Sequence, residues 1–253
     1  SPRNMIDYGL ENKRIVVTGA STGIGEAIVK HLVSENAYVL AIARDVSNLE
    51  LLKEYSPARI TTVSVDVTNF GKLENKIMEY AAHGKISGSV HAAGFNKFTP
   101  MRAFDWSLAN KMINTNLCAG IELLRILVKN RILTSESSHV QISSVAALKG
   151  QSGMSIYSAS KAGMLGAVRS LALELSTKNT TRVNAISPGW VETPLTNELK
   201  RHYSDNGESI VRQHPLGVGN PEDVANAALF LLGNCSRWIT GIELIVDGGY
   251  SIN

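Results

Sequence analysis

Seven short runs of β-branched and other apolar residues, each parted from the next by a stretch of helical period, restrict this chain to one broad architecture. The runs are Arg14–Thr18, Tyr38–Ile42, Ile60–Val65, Gly88–His91, His139–Ser143, Arg182–Ile186 and Ile242–Val246. Helix-period segments lie near residues 23–35, 47–55, 70–82, 107–132, 156–177 and 221–233. The last opens Asn220-Pro221-Glu222-Asp223, with a capping residue, proline at the first helical position and acids in the first turn. Strands joined through helices pair in parallel and need cover on both faces. Right-handed crossovers then give a three-layer, doubly wound α/β fold. Ligands of such folds sit beyond the carboxyl ends of the strands, so those ends are where chemistry is sought.

The 253 residues carry no Pro/Gly/Ser-rich linker, charge block or internal repeat, so one domain over 5–253 is expected. Ser1–Asn4 precede Met5 and are expected to be a remnant of expression. Net charge is only +3, and the densest basic groups, Lys13-Arg14 and Lys200-Arg201-His202, are too short for a nucleic-acid face. No cationic leader or bilayer-length apolar run occurs, so no membrane partner and a cytoplasmic location are expected. Cys118 and Cys235 lie far apart with no Cys/His metal spacing, which predicts no metal site and two reduced, buried thiols.

Each strand end carries a motif. Thr18-Gly19-Ala20-Ser21-Thr22-Gly23-Ile24-Gly25 links the first strand to the first helix. Gly19 permits a tight turn, while Gly23 and Gly25 let backbone approach a phosphate and the sheet. Free N–H groups and the dipole at the helix start favour a pyrophosphate. The second strand leaves through Ala43-Arg44-Asp45. An acid at its tip would bind ribose hydroxyls; alanine there, with Arg44 following, favours a 2′-phosphate and so NADP(H) over NAD(H). Arg44 as a solvated side chain and Asp45 as a helix cap is the plainer alternative. Asp66-Val67 at the third strand's end reads equally as an adenine contact or as helix capping.

Tyr157-Ser158-Ala159-Ser160-Lys161 says little alone, but on a helix positions i and i+4 share a face. A cation beside the phenol, from Lys161 and a nicotinamidium, favours phenolate and brings Tyr157 toward acid/base work. Ser144 ends the fifth strand in the same crevice, placed to hydrogen-bond a substrate carbonyl. Asn116, in the long helix before it, is placed to hold a water linking Lys161 to solvent. After the sixth strand, Pro188-Gly189 sets a sharp turn, and the Val191 backbone and Thr193 hydroxyl can bond a carboxamide. Trp190, Met154, Phe95 and Phe98 are candidate substrate walls by position, and residues 194–216 form a candidate lid.

In combination these motifs resemble the short-chain dehydrogenase/reductase family, in its compact single-domain branch, from about Lys13 to Gly249 with the terminal Val246-Asp247-Gly248-Gly249. The resemblance implies a Rossmann fold with a seven-stranded parallel sheet. It also implies a tetrad of Asn116, Ser144, Tyr157 and Lys161, with Lys161 binding the nicotinamide ribose as well. A homotetramer, or homodimer, packed through the long helices and the C-terminal region would follow. The chain departs from the pattern at His91-Ala92-Ala93-Gly94, where the family often has Asn-Asn-Ala-Gly; Ala93 and Gly94 are still expected to offer backbone to the cofactor, and His91 to be structural. Thr22 stands where many NADP-users have a basic residue. The chain is similar to 3-oxoacyl-carrier-protein reductases, yet the link Thr134–Ser138 holds no cation, and Lys129, Arg131 and Lys178 stand in mixed local charge, which counts against an acyl-carrier-protein partner. The expected activity is reversible hydride transfer between NADP(H) and a small ketone/secondary-alcohol pair. The alternatives are an NADP(H)-binding sensor or scaffold without turnover, or a sugar-modifying relative; the short chain and the Thr18–Gly25 spacing argue against the nucleotide-sugar branch.

Overall fold

The structure, a computed structural model, describes residues 7–202, 205 and 207–253, with the side chains of Lys178 and Asn179 excepted. Ser1–Asn4, expected to be a remnant of expression, lie outside the described residues. Seven strands form one parallel sheet: β1 (Arg14–Thr18), β2 (Tyr38–Ala43), β3 (Ile60–Ser64), β4 (Ile86–His91), β5 (Leu133–Ile142), β6 (Arg182–Pro188) and β7 (Glu243–Val246). Their order is β3-β2-β1-β4-β5-β6-β7, the doubly wound arrangement expected.

Alternation of side chains divides the core into two layers. Ile15, Val17, Val39 and Ala41 pack toward α1 (Gly23–Ser34) and α9 (Pro221–Leu232). Val16, Leu40 and Ile42 face the other way, against α3 (Phe70–Ala81) and α5 (Ala119–Lys129). Both faces of a central strand are therefore apolar, which is why its sequence shows no polar alternation. The remaining helices are α2 (Val46–Tyr55), α4 (Trp106–Ile113), α6 (Ser155–Asn179), α7 (Pro194–Lys200) and α8 (Glu208–Arg212). The last two occupy the segment expected as a lid. No helix among the described residues is long and apolar enough to cross a membrane, and no group of His, Cys, Asp and Glu among them could hold a metal ion.

Three expectations are corrected. The helix expected over 107–132 is broken: α4 and α5 are joined by a π turn at Asn114–Cys118, and the wide turn carries Asn116 inward. Thr134–Ser138, taken as a link, belongs to β5. Its pairing with β4 shifts between Ile86↔Leu133 and Gly88↔Ser138, and the extra residues of this bulge hide the strand period. Cys235 is exposed on a short turn after α9 rather than buried, and Cys118 is half-buried; both are free thiols.

Candidate functional site

The chain leaves β1, winds out to β3 and returns to β4 beside β1, so the sheet switches direction between β1 and β4. Thr18 and His91 are paired across that seam, with Thr18 Oγ1 2.8 Å from His91 Nδ1. His91 Nε2–H donates to the Thr115 carbonyl at 3.1 Å, which leaves Nδ1 to accept from Thr18. Both rings nitrogens are engaged, and burial, with the Lys161 charge second, pushes His91 down to about 4. The imidazole is a neutral brace.

Gly19, at φ +62°, brings the turn against the exit of β4: a Cβ there would lie 2.5 Å from the Ala93 nitrogen. A Cβ on Gly25 would lie 2.0 Å from the Gly19 carbonyl, so neither position accepts a side chain without movement. Thr22 heads α1 without making a side-chain cap bond, leaving the first N–H groups of the helix for another acceptor. A cleft of about 260 Å³ opens here, lined by Gly19, Ser21, Thr22, Arg44, Asp66, Val67, Ala93 and Gly94 among others. The glycine cradle and uncapped helix start fit a dinucleotide pyrophosphate. Arg44 is exposed at this cleft, while Asp45 caps α2 by accepting from Asn48 N–H at 2.9 Å. Asp66 Oδ1 takes both the N–H and hydroxyl of Thr68, at 2.9 and 2.7 Å. Those bonds hold its carboxyl below the usual range.

A second space of about 110 Å³ shares Gly94 and Phe95 with the first and brings together Ile24, Ser144, Tyr157, Lys161, Pro188, Gly189, Val191 and Thr193. Lys161 is buried; its Nζ donates to the Ile142 carbonyl at 2.8 Å and stands 5.8 Å from the centre of the Tyr157 ring. Ser143 Oγ donates to the Lys161 carbonyl at 3.0 Å, fixing the helix on the strand end. Burial pushes Lys161 down to about 8. Burial pushes Tyr157 up, and its hydrogen bond with Ser144 opposes that. Tyr157 therefore stands above its ordinary value in this arrangement, against the depression expected. Ser144 Oγ also accepts the Ala146 N–H at 3.1 Å.

Six candidates stand outside these linings. Asn116 is fully buried behind the space: Oδ1 accepts Phe95 N–H at 3.0 Å, and Nδ2 donates to the Phe95 carbonyl and Ser160 Oγ, both at 3.1 Å. It clamps the loop after β4, and an ideal Cβ on Gly94 would lie 3.0 Å from Asn116 Oδ1 and 3.4 Å from Lys161 Nζ. Gly25 lies behind the turn, and Gly23 faces Thr193, a Cβ there meeting its methyl at 3.2 Å. The Thr193 hydroxyl caps α7, accepting Thr196 N–H at 3.3 Å. Trp190 lines a third space instead, of about 70 Å³, with Ser144, Tyr157, Asn96, Gln151, His214 and Tyr250. Met154 is buried behind Trp190, and Phe98 stacks on His202 at 5.4 Å, lining none of the three spaces.

The third space holds the residues that sequence reasoning missed. His214 accepts Trp190 N–H at Nε2 (3.0 Å), donates from Nδ1 to the Ile210 carbonyl (2.7 Å), and stacks on Tyr250 at 4.7 Å. Gln151 Nε2 donates to the Tyr250 hydroxyl at 3.2 Å. The only sequence signal near them is Asp247 of the terminal motif, whose carboxylate takes the Gly249 and Ser251 N–H groups and sets Tyr250 in place.

Comparison with known proteins agrees with this geometry. A family model described as enoyl-(acyl carrier protein) reductase matches residues 19–251. The 3-oxoacyl-(acyl-carrier-protein) reductase FabG of Thermotoga maritima is 34% identical over 251 residues, covering 96% of this chain and 99% of that protein. Among solved structures, ligand-free aldohexose dehydrogenase (AldT) of Thermoplasma acidophilum superposes with a TM-score of 0.87 at 28% identity, covering 98% and 97% of the two chains. A short-chain dehydrogenase/reductase, glucose/ribitol dehydrogenase, from Brucella melitensis gives 0.89 at 30% identity, covering 97% and 99%. The names agree on redox chemistry and diverge on substrate.

Proposed function

The chain belongs to the short-chain dehydrogenase/reductase family of oxidoreductases, and on that premise we propose that it interconverts a ketone and a secondary alcohol with NADP(H), using Tyr157 as acid and base. The observation that carries the reading is the single space in which Ser144, Tyr157 and Lys161 meet Ile24, Gly94, Pro188, Gly189, Val191 and Thr193. A bound nicotinamide supplies or accepts the hydride. In reduction, the neutral Tyr157 phenol donates its proton to the substrate oxygen, and the Ser144 hydroxyl hydrogen-bonds that oxygen as its charge grows. The Lys161 ammonium stabilises the phenolate left behind. With its pKa lowered to about 8, Lys161 can also exchange protons near neutral pH. Asn116 holds the loop that carries Gly94 through its bonds to Phe95. Lys161 also binds the nicotinamide ribose. Gly19, Ser21, Thr22, Gly23, Ile24 and Gly25 hold the pyrophosphate; Asp66, Val67, Ala93 and Gly94 hold the adenosine side; Pro188, Gly189, Val191 and Thr193 hold the carboxamide.

The NADP(H) preference rests on Ala43 at the strand tip, Arg44 at the cleft, and an Asp45 carboxylate already engaged in capping α2. Residues 194–216 act as the lid over Trp190. We further assign one domain over 5–253, a homotetramer or homodimer, and a cytoplasmic setting; light scattering of the purified protein checks the oligomer. A second reading, reduction of 3-oxoacyl compounds, is favoured by similarity to relatives such as the Thermotoga reductase.

Loss of NADPH absorbance is followed with a panel of ketones and acetoacetyl thioesters. The expected result is turnover in the wild type and a fall of about 10³-fold in Tyr157→Phe, with NADPH affinity changed less than about threefold. Tight NADPH binding with no turnover across the panel replaces this reading with that of a sensor. Normal turnover in Tyr157→Phe removes the tyrosine from the mechanism.

A further inference from the structure

The space beyond Tyr157 is small and is lined by a buried amide oxygen that has no hydrogen-bond partner among the described residues. It shares Ser144, Tyr157, Gly189, Leu195 and Thr196 with the central space, and none of its lining with the nucleotide cleft. The part of a substrate that lies past the reacting carbonyl therefore enters here. It opens onto the central space, and its cavity volume is about 70 Å³. Leu199, Ile210 and Trp190 give it buried apolar walls, and the stacked rings of His214 and Tyr250 close another side. Neither ring nitrogen of His214 is free to bond a ligand, because the Trp190 N–H and the Ile210 carbonyl engage both.

Asn96 differs from these. It is 6% exposed, lines the space, and among the described residues its Oδ1 makes no hydrogen bond. Buried amides are as a rule paired, so one left unpaired in a ligand space marks a place where the ligand completes it. Gln151, on the same lining, gives Nε2 to the Tyr250 hydroxyl and keeps Oε1 as a further acceptor. A hydroxyl group suits Asn96 in either rotation of its amide, because it both donates and accepts. An alkyl chain in this place would leave the amide oxygen unpaired.

We propose that the carbonyl substrate is a hydroxylated compound whose hydroxyl is hydrogen-bonded by Asn96, with Gln151 as the second polar contact. This rests on the reading of Tyr157 and Ser144 as the reacting end, and it separates the chain from reductases of long apolar 3-oxoacyl chains. Specificity follows from the physics of an unpaired amide: a site built to bond a hydroxyl rejects the analogue without it far more strongly than an apolar pocket discriminates by a methylene.

The test uses 4-hydroxy-2-butanone and 2-pentanone, which have the same number of heavy atoms and differ by a hydroxyl in place of a methyl, with acetoacetyl-coenzyme A as the acyl control. With NADPH in excess, wild-type kcat/KM is expected to favour the hydroxyketone over 2-pentanone by about 100-fold. Asn96→Leu is expected to lower the hydroxyketone value by about 30-fold while leaving 2-pentanone within about twofold. Asn96→Ala serves the same purpose should leucine disturb the wall. Equal losses on both ketones, or a wild type that prefers 2-pentanone or the thioester, overturn the proposal. Thermal shift of the NADPH complex with each ketone reads binding without turnover. Stabilisation by the hydroxyketone that Asn96→Leu abolishes supports the pocket even if no carbonyl is reduced, in which case the reading of Tyr157 fails instead. Stabilisation by neither ketone, or equally by both, overturns the proposal.

Discussion

At the proposed nucleotide end of the crevice, glycines bring backbone to the wall at the turn after β1, whereas at the proposed substrate end the walls are side chains drawn from distant segments. Gly19 turns at φ +62° with room for no Cβ against Ala93, and Gly25 sits against the Gly19 carbonyl. Asn96, Gln151, Trp190, His214 and Tyr250 come from four loops and the chain terminus, held by bonds such as Trp190 N–H to His214. A backbone cradle admits one residue type at its contact points, so substitutions there act on fold and cofactor together. A side-chain wall can be exchanged residue by residue, so substitutions there should change selectivity and leave the fold intact. That contrast explains how one sheet edge can keep a single cofactor site while serving varied substrates.

The largest effect expected of this contrast is at Gly25. Valine would drive its Cβ to 2.0 Å from the Gly19 carbonyl, and neither atom belongs to a flexible side chain. Such overpacking costs about 3 kcal/mol or more. For a chain of this size it lowers Tm by about 10 °C and NADPH affinity by at least about 100-fold. Differential scanning calorimetry and NADPH titration of Gly25→Val check both, beside Asn96→Leu, whose Tm should stay within about 2 °C. A Gly25→Val protein with unchanged Tm and NADPH affinity breaks the contrast.

Where the two ends meet, Lys161 sets function against stability. Its folded pKa of about 8 lies below the ordinary 10.5, so holding the ammonium in the interior costs about 3 kcal/mol at neutral pH, partly offset by the bond to Ile142. Lys161→Met should be inactive and yet more stable than wild type by about 1–3 kcal/mol at pH 7 in urea titrations. The slope has the same sign as for a carboxylate whose pKa folding lowers, although here it is the charged form that the fold disfavours. Between pH 8 and 10.5 the unfolded chain keeps a proton that the native state has lost, so wild-type stability rises with pH across that window. The gap to Lys161→Met therefore narrows at pH 9.5 relative to pH 7. A methionine variant less stable than wild type at pH 7 removes the assignment.

The same division decides what could be read from the sequence. All seven strands and the glycine turn were legible because buried parallel strands need unbroken apolar runs and a backbone cradle needs glycine at fixed spacing. Tyr157 and Lys161 were legible as a pair because one helical turn joins them. The π turn at Asn114–Cys118 was not, since no residue type demands it and its cause is tertiary: Asn116 turned inward to hold Phe95. The start of β5 was hidden because bulged residues such as Ser135 and Glu136 break the alternation. Asn96 and His214 were invisible for a deeper reason. Their meeting depends on how the loops after β4 and β6 pack, and no spacing along the chain encodes it.

The smallest expected effect tests the contrast where it is weakest. Backbone at the glycine turn reads the pyrophosphate, which NADPH and NADH share, so the choice between them must fall to side chains even at this end. Ala43 offers no acid at the strand tip, and Asp45 is engaged with Asn48 N–H at 2.9 Å, which leaves Arg44 as the charged group at the cleft best placed for a 2′-phosphate. Arg44 is exposed, so water and salt weaken its bond, and Arg44→Ala should lower NADPH affinity only about 10-fold. NADH affinity should stay within about twofold, and the NADPH difference should shrink as salt is raised. An unchanged NADPH/NADH ratio at low salt would take cofactor choice away from the exit of β2, and the nucleotide end would then discriminate through groups other than Arg44.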